Sequence, residues 1–261
     1  MTAAQRPILG LVVVPVYNEA ANLPAVIARL TSRIPVANLL FIDDGSSDGS
    51  REVLQREGVR YLRHPINLGY EEALRTGMRE VMLGDYEYVV YFDADGQHQL
   101  PDLEKLIRVY ETEDLDLIQG SRNLGERMLR PSLRSIGTWA FSRLTTLFAG
   151  VEITDATCGL KLISRRFIPV ALMLPTEDMH AELIVGLARC GARVREEKIT
   201  VTPREAGESM YHFGKALFYP PKTMICLVGE LMFCRQLRKT LDPLALKGRR
   251  KPGAATDGDA P

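Results

Sequence analysis

Four short apolar runs, spaced by helix-like stretches, constrain this chain more than any other feature. Residues 8–14 (ILGLVVV) are apolar without alternation, as expected of a central strand covered on both faces. Runs at 38–42, 59–63 and 88–92 (YVVYF) follow, and segments 22–32, 50–57 and 70–83 carry helical spacing between them. Such alternation predicts a parallel sheet with crossover helices. Three of the strands run into polar clusters: Pro15 to Glu19, Asp43 to Asp48, and Asp93 to His98. Ligands of open α/β sheets bind beyond the carboxyl ends of the strands, so the three clusters should meet in one crevice. Further along, 103–112 reads as a helix, 115–120 as a strand, 133–148 as an amphipathic helix carrying Trp139, and 177–190 as a helix closed at Gly191.

Composition narrows the function. The chain has 33 Lys and Arg against 33 Asp and Glu, and no basic stripe interleaved with aromatics, which argues against nucleic-acid binding. Cys158, Cys190, Cys226 and Cys234 form no C-x-x-C pair, so neither zinc nor a disulfide framework is expected. The amino terminus lacks the basic start and small-residue cleavage site of a secretory leader, which predicts a cytoplasmic protein. Residues 216–234 are the most membrane-like, but Pro220, Pro221, Lys222 and Glu230 interrupt them, short of the ~20 apolar residues a spanning helix needs. Followed by Arg235, Arg238 and Lys239, this stretch reads either as an interfacial helix with a basic rim or as a core helix closing the domain. The expected organisation is a catalytic domain over 1–215, an amphipathic, peripheral-membrane segment over 216–240, and a basic then disordered tail over 241–261.

Asp93-Ala94-Asp95 carries the chemistry. On an extended segment, residues two apart face the same way, so both carboxylates could meet one ion while Ala94 turns inward and Gln97 continues the alternation. Oxygen donors of this kind suit Mg²⁺ or Mn²⁺, with substrate phosphates completing the shell. A strand-end D-x-D can also be no more than a turn or a helix cap. Asp43-Asp44-Gly45-Ser46-Ser47-Asp48-Gly49 is likewise rich in turn formers, yet its tandem Asp exceeds what a turn requires and could accept bonds from a base or ribose. Pro15-Val16-Tyr17-Asn18-Glu19 sets an aromatic face beside amide and carboxylate groups, suited to a nucleobase.

Taken in order and spacing, P-V-Y-N-E, D-D-G-S-S-D-G, N-L-G at 67–69 and D-A-D-G-Q-H resemble the family 2 glycosyltransferases. The second half is similar to their dolichol-phosphate mannosyltransferase and polyprenyl-phosphate glycosyltransferase branch, through G-S-R at 120–122, T-D-A-T-C-G at 154–159 and R-E-A-G-E-S at 204–209. The resemblance implies an α/β, GT-A (Rossmann-like) fold with a mixed, mainly parallel sheet flanked by helices. It implies a GDP- or UDP-linked sugar donor held by Pro15, Tyr17, Asn18, Glu19, Asp43, Asp44, Ala94 and Arg204. Asp93, Asp95 and Gln97 would bind the metal and diphosphate, and Asp95, Arg122 and Arg134 would serve the transfer. Met210 stands where the branch usually has Lys, with Lys215 as a substitute; Cys158 replaces a common Ser, and Leu160 a common aromatic. A polyprenyl-phosphate acceptor is expected and an inverting displacement with it; an acceptor hydroxyl would instead need a base among Asp155, Glu177, Asp178, His180 and Glu182. The rival readings are a soluble family 2 enzyme acting on a small molecule or polysaccharide, a nucleotidyltransferase, and a binding module without turnover.

Overall fold

In a computed structural model of the chain, residues 9–125, 133–175, 179–202, 226, 229 and 231–237 are described, with backbone alone for 133–138 and 140. Strand β1 (Gly10–Val16) is buried along its whole length, as its unbroken apolar run requires. Its residues divide by parity: Leu11 and Val13 join one core, Val12, Val14 and Val16 the other. Helix α1 (Leu23–Thr31) leads to β2 (Leu39–Asp43), α2 (Ser50–Arg56) to β3 (Tyr61–Arg63), and α3 (Tyr70–Leu83) to β4 (Tyr88–Tyr91). After them come α4 (Leu100–Thr112), β5 (Leu117–Ser121), α5 (Leu133–Ala149), β6 (Lys161–Ser164), α6 (Ile168–Met173), α7 (Ala181–Arg189) and β7 (Val194–Lys198).

The seven strands form one sheet in the order β3-β2-β1-β4-β6-β5-β7. Every pairing is parallel except those of β6, which runs antiparallel to both β4 and β5. Helices cover both faces. Leu23, Val26 and Leu30 of α1, Leu54 of α2, and Leu103 and Leu106 of α4 pack on one side; Leu74 and Met78 of α3, Phe141 of α5 and Leu183, Ile184 and Leu187 of α7 pack on the other. Full burial of each such side chain contributes roughly 1.5–3 kcal/mol before chain entropy is subtracted.

Three expectations are corrected here. Strand β3 is shorter than 59–63: its ladder with β2 covers Tyr61 to Arg63. Helix α4 starts at Leu100, earlier than 103, with Pro101 in its first turn, where no intrahelical donor is needed. The strand at 88–92 ends at Tyr91, so Asp93 and Asp95 do not lie on an extended segment: Ala94 and Asp95 form a turn continued by Gly96 at φ +77°. The 204–225 region, including Arg204, Met210, Lys215 and most of 216–234, lies outside the described residues.

Candidate active site

The first two polar clusters bind one another. Asn18, at φ +56°, donates its N–H to Ser46 Oγ (3.0 Å) and accepts from Ser47 N–H through Oδ1 (2.9 Å). Glu19 N–H donates to Ser50 Oγ (2.9 Å), and Ala20 N–H to Asp48 Oδ2 (2.9 Å). Burial raises the Asp48 pKa, but bonds from Ser50 and Ala20 outweigh it and hold the carboxyl below its ordinary range. Glu19 Oε2 accepts from Asn22 Nδ2 (2.6 Å). Asn18 and Glu19 therefore build the wall, while Tyr17 beside them is 41% exposed. Pro15 is buried within β1, in register with Ile42.

The tandem aspartates at the end of β2 have separate roles. Asp43 is fully buried; its Oδ1 accepts from Ser46 N–H (2.9 Å), while Oδ2 has no hydrogen-bond partner and lies 3.4 Å from Arg63 Nε. Asp44 is saturated. Its Oδ1 meets His64 Nδ1 (2.7 Å) and Leu68 N–H (2.9 Å), its Oδ2 Gly69 N–H (2.9 Å), and His64 Nε2 continues to Thr76 Oγ1 of α3 (2.9 Å). Asp44 thus holds the N-L-G loop, while Asp43 keeps one oxygen that has no hydrogen bond and only Arg63 as an ion-pair partner.

Beyond β4, Asp93 accepts from Tyr70 Oη through Oδ1 (3.1 Å) and pairs with His98 Nε2 through Oδ2 (3.0 Å). Burial raises its pKa, but the His98 bond and charge, the charge of His180 and the Tyr70 bond outweigh this and depress it. Gly159 lies against the same carboxylate: a Cβ there would be 1.9 Å from Asp93 Oδ2, so any side chain at this position forces one of the two to shift. Asp95 is half-buried, with Oδ1 accepting from Gln97 N–H (3.0 Å), and Ala94 is buried as expected. Arg29 of α1 holds the loop from outside, with Nη1 on the carbonyls of Gly96 (3.2 Å) and His98 (3.1 Å). Gln97 Nε2 donates to the Thr202 carbonyl (3.3 Å), which ties the loop to the chain after β7.

Among the described residues, no group of three or more His, Cys, Asp or Glu side chains is arranged to hold a metal. Two hard carboxylates remain, Asp93 in a cradle that a Cβ would fill and Asp95 beside it, which fits a Mg²⁺-like ion that draws its other ligands from substrate phosphates and water.

The third wall comes from the chain's second half. Arg122, just past β5, grips Asp155 with Nε on Oδ2 (2.6 Å) and Nη2 on Oδ1 (2.8 Å), and Nη2 also reaches Thr157 Oγ1 (2.7 Å). Asp155 is fully buried while the Arg122 side chain is 42% exposed. Burial raises the Asp155 pKa, and the Arg122 bonds and charge more than reverse that, making Asp155 a poor base. Glu196 of β7 anchors the loop, accepting from Thr154 N–H (2.8 Å) and Oγ1 (2.7 Å) and from Asp155 N–H (2.9 Å). Burial pushes the Cys158 thiol up to about 12, so it packs and does not react. His180 stacks on Tyr70 (centroids 5.6 Å apart) and lies 3.3 Å from the fully buried Lys161 Nζ, while Glu182 is 2% exposed. Arg134 lies in α5, where only its backbone is described; Arg204, Glu177 and Asp178 lie outside the described residues.

The crevice thus gathers Tyr17, Asp43, Asp93, Asp95 and Arg122 from the sequence reading. It adds Tyr70, His98, Arg29 and Glu196, which that reading did not assign; His98 alone stood in a quoted motif. Residues 231–237 pack onto α7, with Cys234 Sγ donating to the Gly186 carbonyl (3.5 Å) and Leu237 buried, while Met232 is 72% exposed. No helix among the described residues is long and apolar enough to cross a membrane.

Comparison with known proteins bears on this crevice. Residues 11–169 match the family described as glycosyl transferase family 2. The undecaprenyl-phosphate mannosyltransferase of Micrococcus luteus is 31% identical over 210 residues, covering 76% of this chain and 86% of that one. The polyprenol monophosphomannose synthase of Mycolicibacterium smegmatis is 27% identical over 211 residues, covering 76% and 79%. Among solved structures, glucosyl-3-phosphoglycerate synthase of Mycobacterium tuberculosis with Mn²⁺ and UDP-glucose superposes with a TM-score of 0.58 at 18% identity, covering 84% of this chain and 78% of that one. That last likeness is one of fold.

Proposed function

Because the chain belongs to glycosyl transferase family 2 and has its GT-A fold, we propose that this glycosyltransferase moves a hexose from a GDP- or UDP-linked donor to a polyprenyl phosphate. The observation that carries the reading is the carboxylate pair Asp93 and Asp95 at the end of β4, one strand from β1 and two from Asp43. Asp43 Oδ2, which carries no hydrogen bond and meets Arg63 only as an ion pair, would accept from the base, and the exposed Tyr17 ring would cover it. Asp93 and Asp95 would hold Mg²⁺ or Mn²⁺, which when bound supplies the charge that stabilises a departing nucleoside diphosphate. The guanidinium of Arg122, fixed in direction by Asp155, would face acceptor phosphate, with Arg134 and Arg204 as further candidates.

A phosphate acceptor also suits the candidate bases. Of the candidates among the described residues, Asp155 is tied to Arg122, and His180 and Glu182 are buried, so none of these three is set out to deprotonate a hydroxyl. A phosphomonoester has a second pKa near 6 and is largely dianionic at neutral pH, so it can attack without a base. Its oxygen would bond the anomeric carbon as the bond to the diphosphate breaks, the electron pair leaving with the nucleoside diphosphate and the configuration inverting. The apolar segment at 216–240, with the exposed Met232, would bring such a lipid acceptor to the crevice from a membrane face.

The test is a panel of GDP- and UDP-sugars with Mn²⁺ or Mg²⁺, with and without polyprenyl phosphate, scored for released nucleoside diphosphate. Release that depends on the lipid phosphate is expected. Equal release with hydroxyl acceptors, or release of pyrophosphate, would overturn the proposal.

A further inference from the structure

The second aspartate of the tandem pair is a buried carboxylate held by three donors at the rim of a crevice. Asp44 is 3% exposed and accepts from the N–H groups of Leu68 and Gly69, both at 2.9 Å, and from His64 at 2.7 Å. Those amides end the loop that launches α3, and the next residue is Tyr70, the first of the helix. Tyr70 Oη reaches across the sheet to Asp93 Oδ1 at 3.1 Å. His64 fastens the same carboxylate to α3 a second time through Thr76 Oγ1, so the start of α3 is held at two points about two turns apart. The helix begins where Asp44 puts it, and the phenol arrives where the helix begins.

From this chain of contacts we infer that Asp44 and Tyr70 are positioning residues for Asp93: Asp44 fixes the first turn of α3, and Tyr70 transmits that position to the carboxylate through one hydrogen bond. The inference rests on the reading of Asp93 and Asp95 as the cation-holding pair. Metal-ligating carboxylates are themselves oriented by outer hydrogen bonds, and loss of such a partner typically weakens metal binding by roughly 10- to 100-fold. Asp93 has few ways to adopt another pose, because Gly159 presses on Oδ2 from one side and His98 holds that atom from another. Oδ1 is the atom left to be set, and Tyr70 sets it. Tyr70 is kept upright by stacking on His180, interplanar angle 12°, and that contact survives removal of the hydroxyl.

The geometry makes the two residues dependent on each other. If Asp44 acts through Tyr70, its removal matters to the cation only while the Tyr70 hydroxyl is present. The experiment is a double-mutant cycle on the full chain with Tyr70→Phe, Asp44→Asn and the pair. Mn²⁺ affinity is read by electron paramagnetic resonance in the presence of nucleoside diphosphate, and unfolding temperature is recorded for each variant. We expect Tyr70→Phe to weaken Mn²⁺ binding about tenfold with little change in unfolding temperature. Asp44→Asn should weaken it by a similar factor while also lowering the unfolding temperature. The double variant should bind Mn²⁺ no more weakly than Tyr70→Phe alone. Wild-type affinity in Tyr70→Phe, or losses that multiply in the double variant, would overturn the inference while leaving the carboxylate pair intact. A wild-type chain that binds no Mn²⁺ with nucleoside diphosphate would remove the cation assignment and this inference with it.

Discussion

Gly159→Ala is the sharpest perturbation the site offers, because it adds a single methyl group and the structure states what that methyl meets. The new Cβ would lie 1.9 Å from Asp93 Oδ2, 2.6 Å from Cγ and 2.7 Å from Oδ1, so the carboxylate must retreat by about 1.5 Å to reach ordinary contact. Neither side yields cheaply. The loop bearing Gly159 is pinned by Gln119 Nε2 on the Cys158 carbonyl (2.9 Å) and by Gly120 N–H on the Leu160 carbonyl (2.9 Å). The carboxylate is pinned by Tyr70 and His98, and a hydrogen bond to a charged group is worth ~1.5–3 kcal/mol. Rotating one side chain disturbs less than moving a buried loop, so Asp93 is the partner that gives way. We expect a stability loss of about 1–3 kcal/mol, the usual scale of overpacking. Misplacement of this size should lower kcat by about 10²-fold. Nucleoside diphosphate release under saturating donor and Mn²⁺ measures the rate, and urea unfolding the stability. A variant within twofold of wild type in rate and unchanged in stability would refute the account of how Asp93 is placed.

Other outcomes follow from the same contacts. Asp95→Ala should reduce turnover by at least about 10²-fold, as expected when several kcal/mol of cation stabilisation are lost, while the unfolding midpoint barely moves; near-native turnover would count against the cation assignment. Arg29→Ala removes two bonds to the Gly96 and His98 carbonyls and should cost about 1–2 kcal/mol of stability and raise the Mn²⁺ concentration needed for half-maximal rate; an unchanged Mn²⁺ requirement would speak against it. Asp155 has a depressed pKa when folded, so its stabilising effect is complete above the ordinary carboxylate value near 3.9 and is lost as pH falls through the folded one. The gap in unfolding temperature between wild type and Asp155→Asn should therefore be widest above about pH 5 and close on acidification; a gap that stays constant with pH would contradict the ion-pair account.

The first half of the fold could be read from the chain because β1, β2 and β4 are mainly apolar runs and its helices are amphipathic; α3 falls where the pattern put it, Tyr70 to Leu83. Strands β6 and β7 left no such mark. Strand β6 is four residues with a lysine at its head, and β7 (VREEK) looks like a solvated stretch, although Glu196 and Glu197 are buried against partners in the adjoining loop and helix. Charge that is paired in three dimensions looks like surface in one. The site divides in the same way. The acidic clusters are legible because a strand end concentrates them, but which carboxylate is spent on the protein is not: Asp44 and Asp43 are neighbours in sequence, and only the fold shows that one holds a loop while the other keeps an oxygen without a hydrogen bond. Asp155 was named as a candidate base, and its partner Arg122, 33 residues away, makes it a counter-ion instead.

The single reversed strand has a consequence for how such an enzyme can diversify. Since β6 enters the sheet at the edge where β4 leaves it, the loop of residues 154–160 descends onto the acidic turn from above. Gly159 is thus one of several places where the late chain bears on the early half, alongside Gln97 with Thr202 and Tyr70 with His180, and any exchange of that loop must keep a bare backbone there for Asp93 to hold its place.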